Sequence, residues 1–231
     1  DLAPVVQLGL QPVLCDCNMT DLSIDLQHFR KLIREEKPKA LILVSVLGLV
    51  PQMDEIQDMC ESNGVILLED ACESLGSKFK ERKLGSFGLM STFSTYFGHH
   101  ISTIEGGMVC TNDTEIYNVL KSIRSHGWDR DLDSKHKEEL REKYQVDSFE
   151  ALYKFYYFGF NVRSTDLQAF IGLGQLDKLN SIVEARNRNY LHYTENINGK
   201  YWKAPQSTDE KYISNFAYPI IHPLRYKIVE N

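Results

Sequence analysis

The sequence predicts an α/β protein built on a mostly parallel sheet. Strand-like and helix-like segments alternate through roughly the first 125 residues, the rhythm of repeated βα units. Two segments, "KALILVSVLG" and "VILLED", are uninterrupted apolar runs, as strands buried on both faces would be. The segments between carry apolar residues at helical spacing.

In chain order, "PVLCD" (Pro12–Asp16) reads as a short strand. "DLQHFRKLIREEK" places Leu26, Phe29 and Ile33 on one helical face, with Asp25 at the N-terminus. "KALILVSVLG" follows as a strand. "MDEIQDMCESNG" groups Ile56, Met59 and Cys60 on one face and closes at Gly64. "VILLED" is the next strand. "GSKFKERKLGSFG" then predicts a hairpin and turns. "LMSTFST" and "GGMVCTN" are strands flanking a loop that holds His99 and His100. "DTEIYNVLKSIRSHG" is an amphipathic helix capped by Asp113 and stopped at Gly127. Residues 129–150 read as a charged, exposed excursion, and "YYFGFNVR" as an aromatic loop. The run from Ser164 to Ile197 is expected to be one long helix, capped by Ser164 or Thr165. From Lys200 the texture turns β-like, in "NFAYPIIHPL".

Of 231 residues, 42% are hydrophobic and 25% charged, ordinary for a globular chain with one large domain or one domain and part of another. The net charge of −6 argues against a nucleic-acid partner, because phosphates need a positive surface. No apolar run is long enough to span a bilayer, so no membrane partner is expected. No basic leader precedes an apolar core, so no signal peptide is read. The five cysteines, odd in number and scattered through apolar runs, point to buried thiols of a cytoplasmic protein. Cys15-Asp16-Cys17 lacks a second pair at zinc spacing, so no metal site is expected. The chain starts without Met and stops in mid-pattern; both ends are expected to be cut from a longer protein.

Glu69 and Asp70 end a buried strand, where an α/β sheet faces its ligand crevice. Either carboxylate could instead be a structural cap. Asp70-Ala71, Ser94, position 99, Glu105-Gly106-Gly107, Gly159-Phe160-Asn161-x-Arg163 and Gln168-Ala169 follow in order. Together, from about Val13 to Gln175, they resemble the DegT/DnrJ/EryC1/StrS family of nucleotide-sugar aminotransferases. The resemblance implies a pyridoxal-phosphate-dependent transferase of the aspartate-aminotransferase-like type, fold type I. Its sheet has seven mostly parallel strands with flanking helices. The large cofactor domain would cover residues 1–195, without its N-terminal part. Residues 196–231 would begin a small α+β domain.

Family position gives each residue an expected role. Asp70 keeps the cofactor's pyridine nitrogen protonated, with Ala71 and Glu73 beside it, and Ser94 donates to the phosphate. Asn161 reaches the phosphate from a partner subunit, which implies a homodimer with shared sites; its other reading is a turn residue. His126 is either a substrate-site residue or a helix C-terminal histidine stabilised by the dipole. His100 is either a substrate-side neighbour or structural.

Position 99 departs from the family's majority, which has there the lysine that bonds the cofactor covalently. Imidazole forms no such bond, so pyridoxamine or pyridoxal 5'-phosphate should be held non-covalently, and His99 can still act as a base. The change resembles the family's nucleotide-sugar 3-dehydratase branch, which serves deoxysugar and surface-polysaccharide biosynthesis. One member of that branch carries a two-iron cluster; no cysteine follows His126, which points to the cluster-free type, with glutamate regenerating the amine. An aminotransferase that works with His99, and an inactive binding homologue, are the other readings. Ile104 stands where the family usually has glycine.

Overall fold

The computed structural model describes residues 1–197 and 199–230. Helix α1 (Leu2–Gln7) opens the chain, and α2 (Leu26–Glu35) follows. Asp25 caps α2 as expected, its carboxylate accepting from the backbone N–H groups of Gln27 (2.8 Å) and His28 (3.0 Å). Strand β1 (Ala40–Val44), helix α3 (Met53–Asn63) and strand β2 (Ile66–Asp70) make the first βαβ unit. Strands β3 (Lys78–Phe79) and β4 (Arg82–Lys83) form the expected hairpin. Strands β5 (Met90–Ser94) and β6 (Gly107–Thr111) bracket the two-histidine loop. Helices α4 (Thr114–Ile123), α5 (Ser134–Tyr144), α6 (Asp166–Leu176) and α7 (Leu179–Asn196) come next. Strand β7 (Lys211–Tyr212) and helix α8 (Arg225–Val229) complete the chain.

The main sheet has the order β1-β2-β5-β6. β1–β2 and β2–β5 pair in parallel, and β6 returns antiparallel on β5. The described residues thus supply four strands of the expected seven. α2 and α3 pack on one face through Phe29, Met53, Ile56 and Cys60, against Leu41, Leu43 and Leu67. Full burial of such side chains contributes about 1.5–3 kcal/mol each.

Several local expectations change. Pro12–Asp16 is not a strand. Val13 and Leu14 are exposed, and among the described residues the pairing stops at the Cys17–Ile24 bridge and the Asp16 carbonyl, which accepts from Asp25 N (2.7 Å), so no ladder runs along Pro12–Asp16. β1 and β2 are not buried on both faces: Leu41, Leu43, Leu67 and Glu69 face the core, whereas Val44 and Ile66 stay exposed on the other side. Residues 129–150 are mostly exposed, as expected, but they carry α5, rooted by the buried Asp129, whose carboxylate takes Arg141 Nε at 2.7 Å. α4 ends before Gly127. The Ser164–Ile197 run is two helices, broken where Lys178 N–H turns back to the Gln175 carbonyl (3.0 Å). No glycine or proline marks that break. Thr165 is the cap, in a reciprocal capping box with Gln168. "NFAYPIIHPL" holds no strand, since Pro219 and Pro223 lack the N–H a ladder needs. The strand lies just upstream, as β7 on β3, so this part of the tail packs on the first hairpin.

Candidate active site

Strand alternation separates the two carboxylates that the sequence left undecided. Glu69 points into the core, 2% exposed. Its Oε2 accepts from Gly85 N (2.7 Å) and its Oε1 from Phe87 N (2.6 Å) and Gly88 N (2.7 Å). It is the structural cap, holding the turn that leads into β5. Asp70 emerges on the opposite face, at the C-terminal end of its strand. Its Oδ1 accepts from Cys72 N (3.0 Å) and Thr92 Oγ1 (3.3 Å), and Oδ2 has no hydrogen bond among the described residues.

His99 hangs over the same strand end. Its Nδ1 lies 2.8 Å from the Cys72 carbonyl oxygen. A carbonyl only accepts, so Nδ1 carries the proton, and in the neutral ring Nε2 keeps its lone pair. The turn after β2 therefore orients both groups, steadying Asp70 by the amide of Cys72 and His99 by its carbonyl. Sequence reasoning missed Cys72 because the contact uses its backbone. Its thiol, pushed up to about 11 by burial, then by the neighbouring Asp70, stays protonated.

Ser94 ends β5, two residues beyond the Thr92 that pairs with Asp70. Its Oγ accepts from Tyr96 N (3.2 Å), which leaves the hydroxyl hydrogen to donate outward. Ala71 is fully buried beneath this edge. Glu73 spends Oε2 on Leu47 N (2.6 Å). His100 turns away: it is buried, with Nε2 at 3.1 Å from both Ser214 O and Ser214 Oγ. Burial first, then the Arg186 charge, push its pKa down to about 4, so it stays neutral.

His126 and Asn161 form a second cluster. Ser125 and Asn161 pair as a β-bridge, and His126 N donates to Phe160 O (2.7 Å). His126 lies beyond the last turn of α4, at φ +63°, with its ring 4.8 Å from that of Trp128. Asn161 is exposed. The bend is crowded, since a Cβ on Gly127 would stand 1.9 Å from the Tyr157 carbonyl oxygen. No hydrogen bond or ring contact joins this cluster to His99 among the described residues.

The two-histidine loop is clamped from α6. Gln175 exchanges hydrogen bonds with the backbone of Ser102, and Gln168 Nε2 donates to Glu105 O (2.7 Å). Two glutamines seven residues apart on one helix face were the available signal. Thr95 and Thr103 close the loop's base through their hydroxyls (2.7 Å). Within it, Ile104 sits at φ +72°, a strained conformation for a β-branched residue. Ile104→Gly is expected to raise stability by about 1 kcal/mol, the strain relieved less the entropy glycine loses on folding. Thermal unfolding of the two proteins checks this; a lower melting temperature for the glycine variant contradicts it.

A crevice outside the carboxyl ends of parallel strands is where α/β folds take their ligands, and Asp70, Ser94 and His99 gather at that edge. The chain belongs to the DegT/DnrJ/EryC1/StrS aminotransferase family, whose profile matches residues 2–229. It is 36% identical over 232 residues to GDP-4-keto-6-deoxy-D-mannose 3-dehydratase of Escherichia coli O55:H7, covering 99% of this chain and 59% of that protein. It is 39% identical over 192 residues to the protein of the same name from Yersinia pseudotuberculosis, covering 83% of this chain and 48% of the relative. A crystal structure of GDP-4-keto-6-deoxymannose-3-dehydratase with a trapped PLP-glutamate geminal diamine superposes with a TM-score of 0.81 at 34% identity, covering 99% of this chain and 59% of that chain. The chain thus spans about three-fifths of the length of the E. coli relative. No helix among the described residues is long and apolar enough to cross a membrane.

Proposed function

We propose that this chain forms the cofactor-binding core of a 3-dehydratase for a nucleotide-linked 4-keto-6-deoxyhexose, a step in deoxysugar biosynthesis. The observation that carries the reading is His99, an imidazole held by the Cys72 carbonyl with Nε2 left as the acceptor.

The residues fit pyridoxamine 5'-phosphate. Asp70 has one oxygen anchored and one open, ready to accept a hydrogen bond from a protonated ring nitrogen. Ser94 has a hydroxyl hydrogen to give to a phosphate. When bound, the cofactor supplies an amine that condenses with the sugar ketone and a ring that withdraws electrons. His99 takes up a proton at Nε2 and, as imidazolium, can return it. Its pinned Nδ1 keeps that exchange at one atom. Ala71 fills the floor beneath, and the Asp70–Thr92 contact fixes the carboxylate's plane. Asn161 completes the site from a second copy in a homodimer. The exposed apolar side chains of α6, among them Leu167, Phe170 and Leu173, support such an interface. Glutamate is the amino donor in this reading, the cytoplasm its compartment, and residues 196–231 the approach to a smaller domain.

The test is incubation with nucleotide 4-keto-6-deoxyhexoses, pyridoxamine 5'-phosphate and glutamate, followed by mass analysis. A 3-deoxy product, lighter than the substrate by one oxygen and formed with release of ammonia and 2-oxoglutarate, is expected; an amino sugar would support the aminotransferase reading instead. A further expected outcome concerns attachment. Borohydride with pyridoxal 5'-phosphate should leave no cofactor on any lysine peptide of the site. Lys78, Lys80 and Lys83 lie on or between β3 and β4, with Lys80 paired to Asp54. A labelled lysine peptide would refute non-covalent binding.

A further inference from the structure

The stretch from Ile213 to Ala217 runs against the two-histidine loop, and the proposed chemistry makes no use of it. Ile213 and Ser214 are fully buried. The crossing is close: Gly48 sits at φ +80°, and a Cβ there would stand 2.3 Å from the Ser214 carbonyl oxygen. Phe216 N (2.9 Å) and Asn215 Nδ2 (2.8 Å) both donate to the Leu47 carbonyl. The amide of the same Leu47 is the one held by Glu73.

From the other side, Arg186 on α7 donates through Nη1 to the carbonyls of Asn215 (2.9 Å) and Phe216 (3.0 Å). Burial lowers the pKa of this guanidinium, and it makes no ion pair among the described residues. A partly desolvated charge is costly unless hydrogen-bonded, so the two carbonyls fix its place as firmly as it fixes theirs. Locked in this way, Phe216 sets its ring 5.0 Å from that of His99, inclined at 37°. Tyr96 meets the same imidazole edge-on at 6.2 Å. One hydrogen bond at Nδ1 holds one corner of the imidazole but leaves its tilt free, and an aromatic face removes that freedom.

We infer that Phe216, locked by Arg186 and the Leu47 carbonyl, is a positioning residue for His99, holding the imidazole so that Nε2 keeps one direction. The inference rests on the reading of His99 as the base.

The test reads the imidazole directly, by 15N NMR of histidine-labelled protein; the His99 signals are those missing from His99→Asn. The wild type is expected to show a single neutral tautomer, protonated at Nδ1, and nuclear Overhauser contacts between the Phe216 ring and His99. Phe216→Tyr should preserve the tautomer. Phe216→Leu and Arg186→Met should shift the signals toward a mixture of tautomers. They should also lower kcat by about 10²-fold with KM for the sugar unchanged, the cost of a misplaced catalytic group. Unchanged His99 signals in either folded variant overturn the inference. Absence of the ring contacts in the wild type overturns it without any variant. A tautomer shift in a protein that dehydrates no sugar leaves Phe216 its role and removes the dehydratase reading. A wild type that dehydrates while its variants keep the tautomer does the reverse.

Discussion

Replacing His99 with asparagine is expected to lower turnover by about 10²–10⁴-fold, the usual contribution of a positioned general base. Asparagine is smaller, but its amide nitrogen can take the place of Nδ1 and still donate to the Cys72 carbonyl, which lies 2.8 Å from His99 Nδ1. It offers no nitrogen that can accept a proton. Cofactor affinity should change little, because Asp70 and Ser94 supply the contacts to ring and phosphate. Turnover and a cofactor-binding titration, measured on the same preparation, separate the two effects. His99→Lys should behave differently, by regaining covalent attachment of pyridoxal 5'-phosphate, detectable after borohydride reduction. Undiminished turnover in the asparagine variant would place the base elsewhere.

Glu69→Ala is expected to cost about 4 kcal/mol of stability, the largest effect outside the reacting groups. The buried carboxylate accepts three backbone N–H bonds from Gly85, Phe87 and Gly88. Hydrogen bonds to a charged group are worth about 1.5–3 kcal/mol each, and unpaired buried donors add their own cost. Glu69→Gln should recover only part of this, because its amide NH2 must oppose at least one N–H. Asp70→Asn, one residue along and on the other face, should cost only about 1 kcal/mol, since the asparagine oxygen still accepts from Cys72 N and Thr92 Oγ1. That variant should lose cofactor instead. Denaturant unfolding of the three variants checks the contrast, and equal losses at positions 69 and 70 would contradict the assignment of roles.

The helices legible in the sequence were those with local signals. Asp25 and Asp113 cap α2 and α4 through their own side chains, and such bonds need only nearby backbone. The family resemblance located Asp70, Ser94 and His99, and the fold brings them to neighbouring strand ends. The break between α6 and α7 left no trace, because neither glycine nor proline makes it. Pro12–Asp16 read as a strand on apolar content alone, but a strand exists only if another backbone pairs with it.

The βα rhythm, the capped helices and the histidine in place of lysine are all legible in residue type and spacing. Tertiary structure decided which of two adjacent carboxylates is structural, because that depends on which face of β2 the core covers. It decided the two histidines likewise: His99 is held by the Cys72 carbonyl at the strand ends, whereas His100 is buried against Ser214. It also brought Phe216 against His99. Contacts between residues so far apart in the chain come from packing, and residue spacing along the sequence carries no record of it.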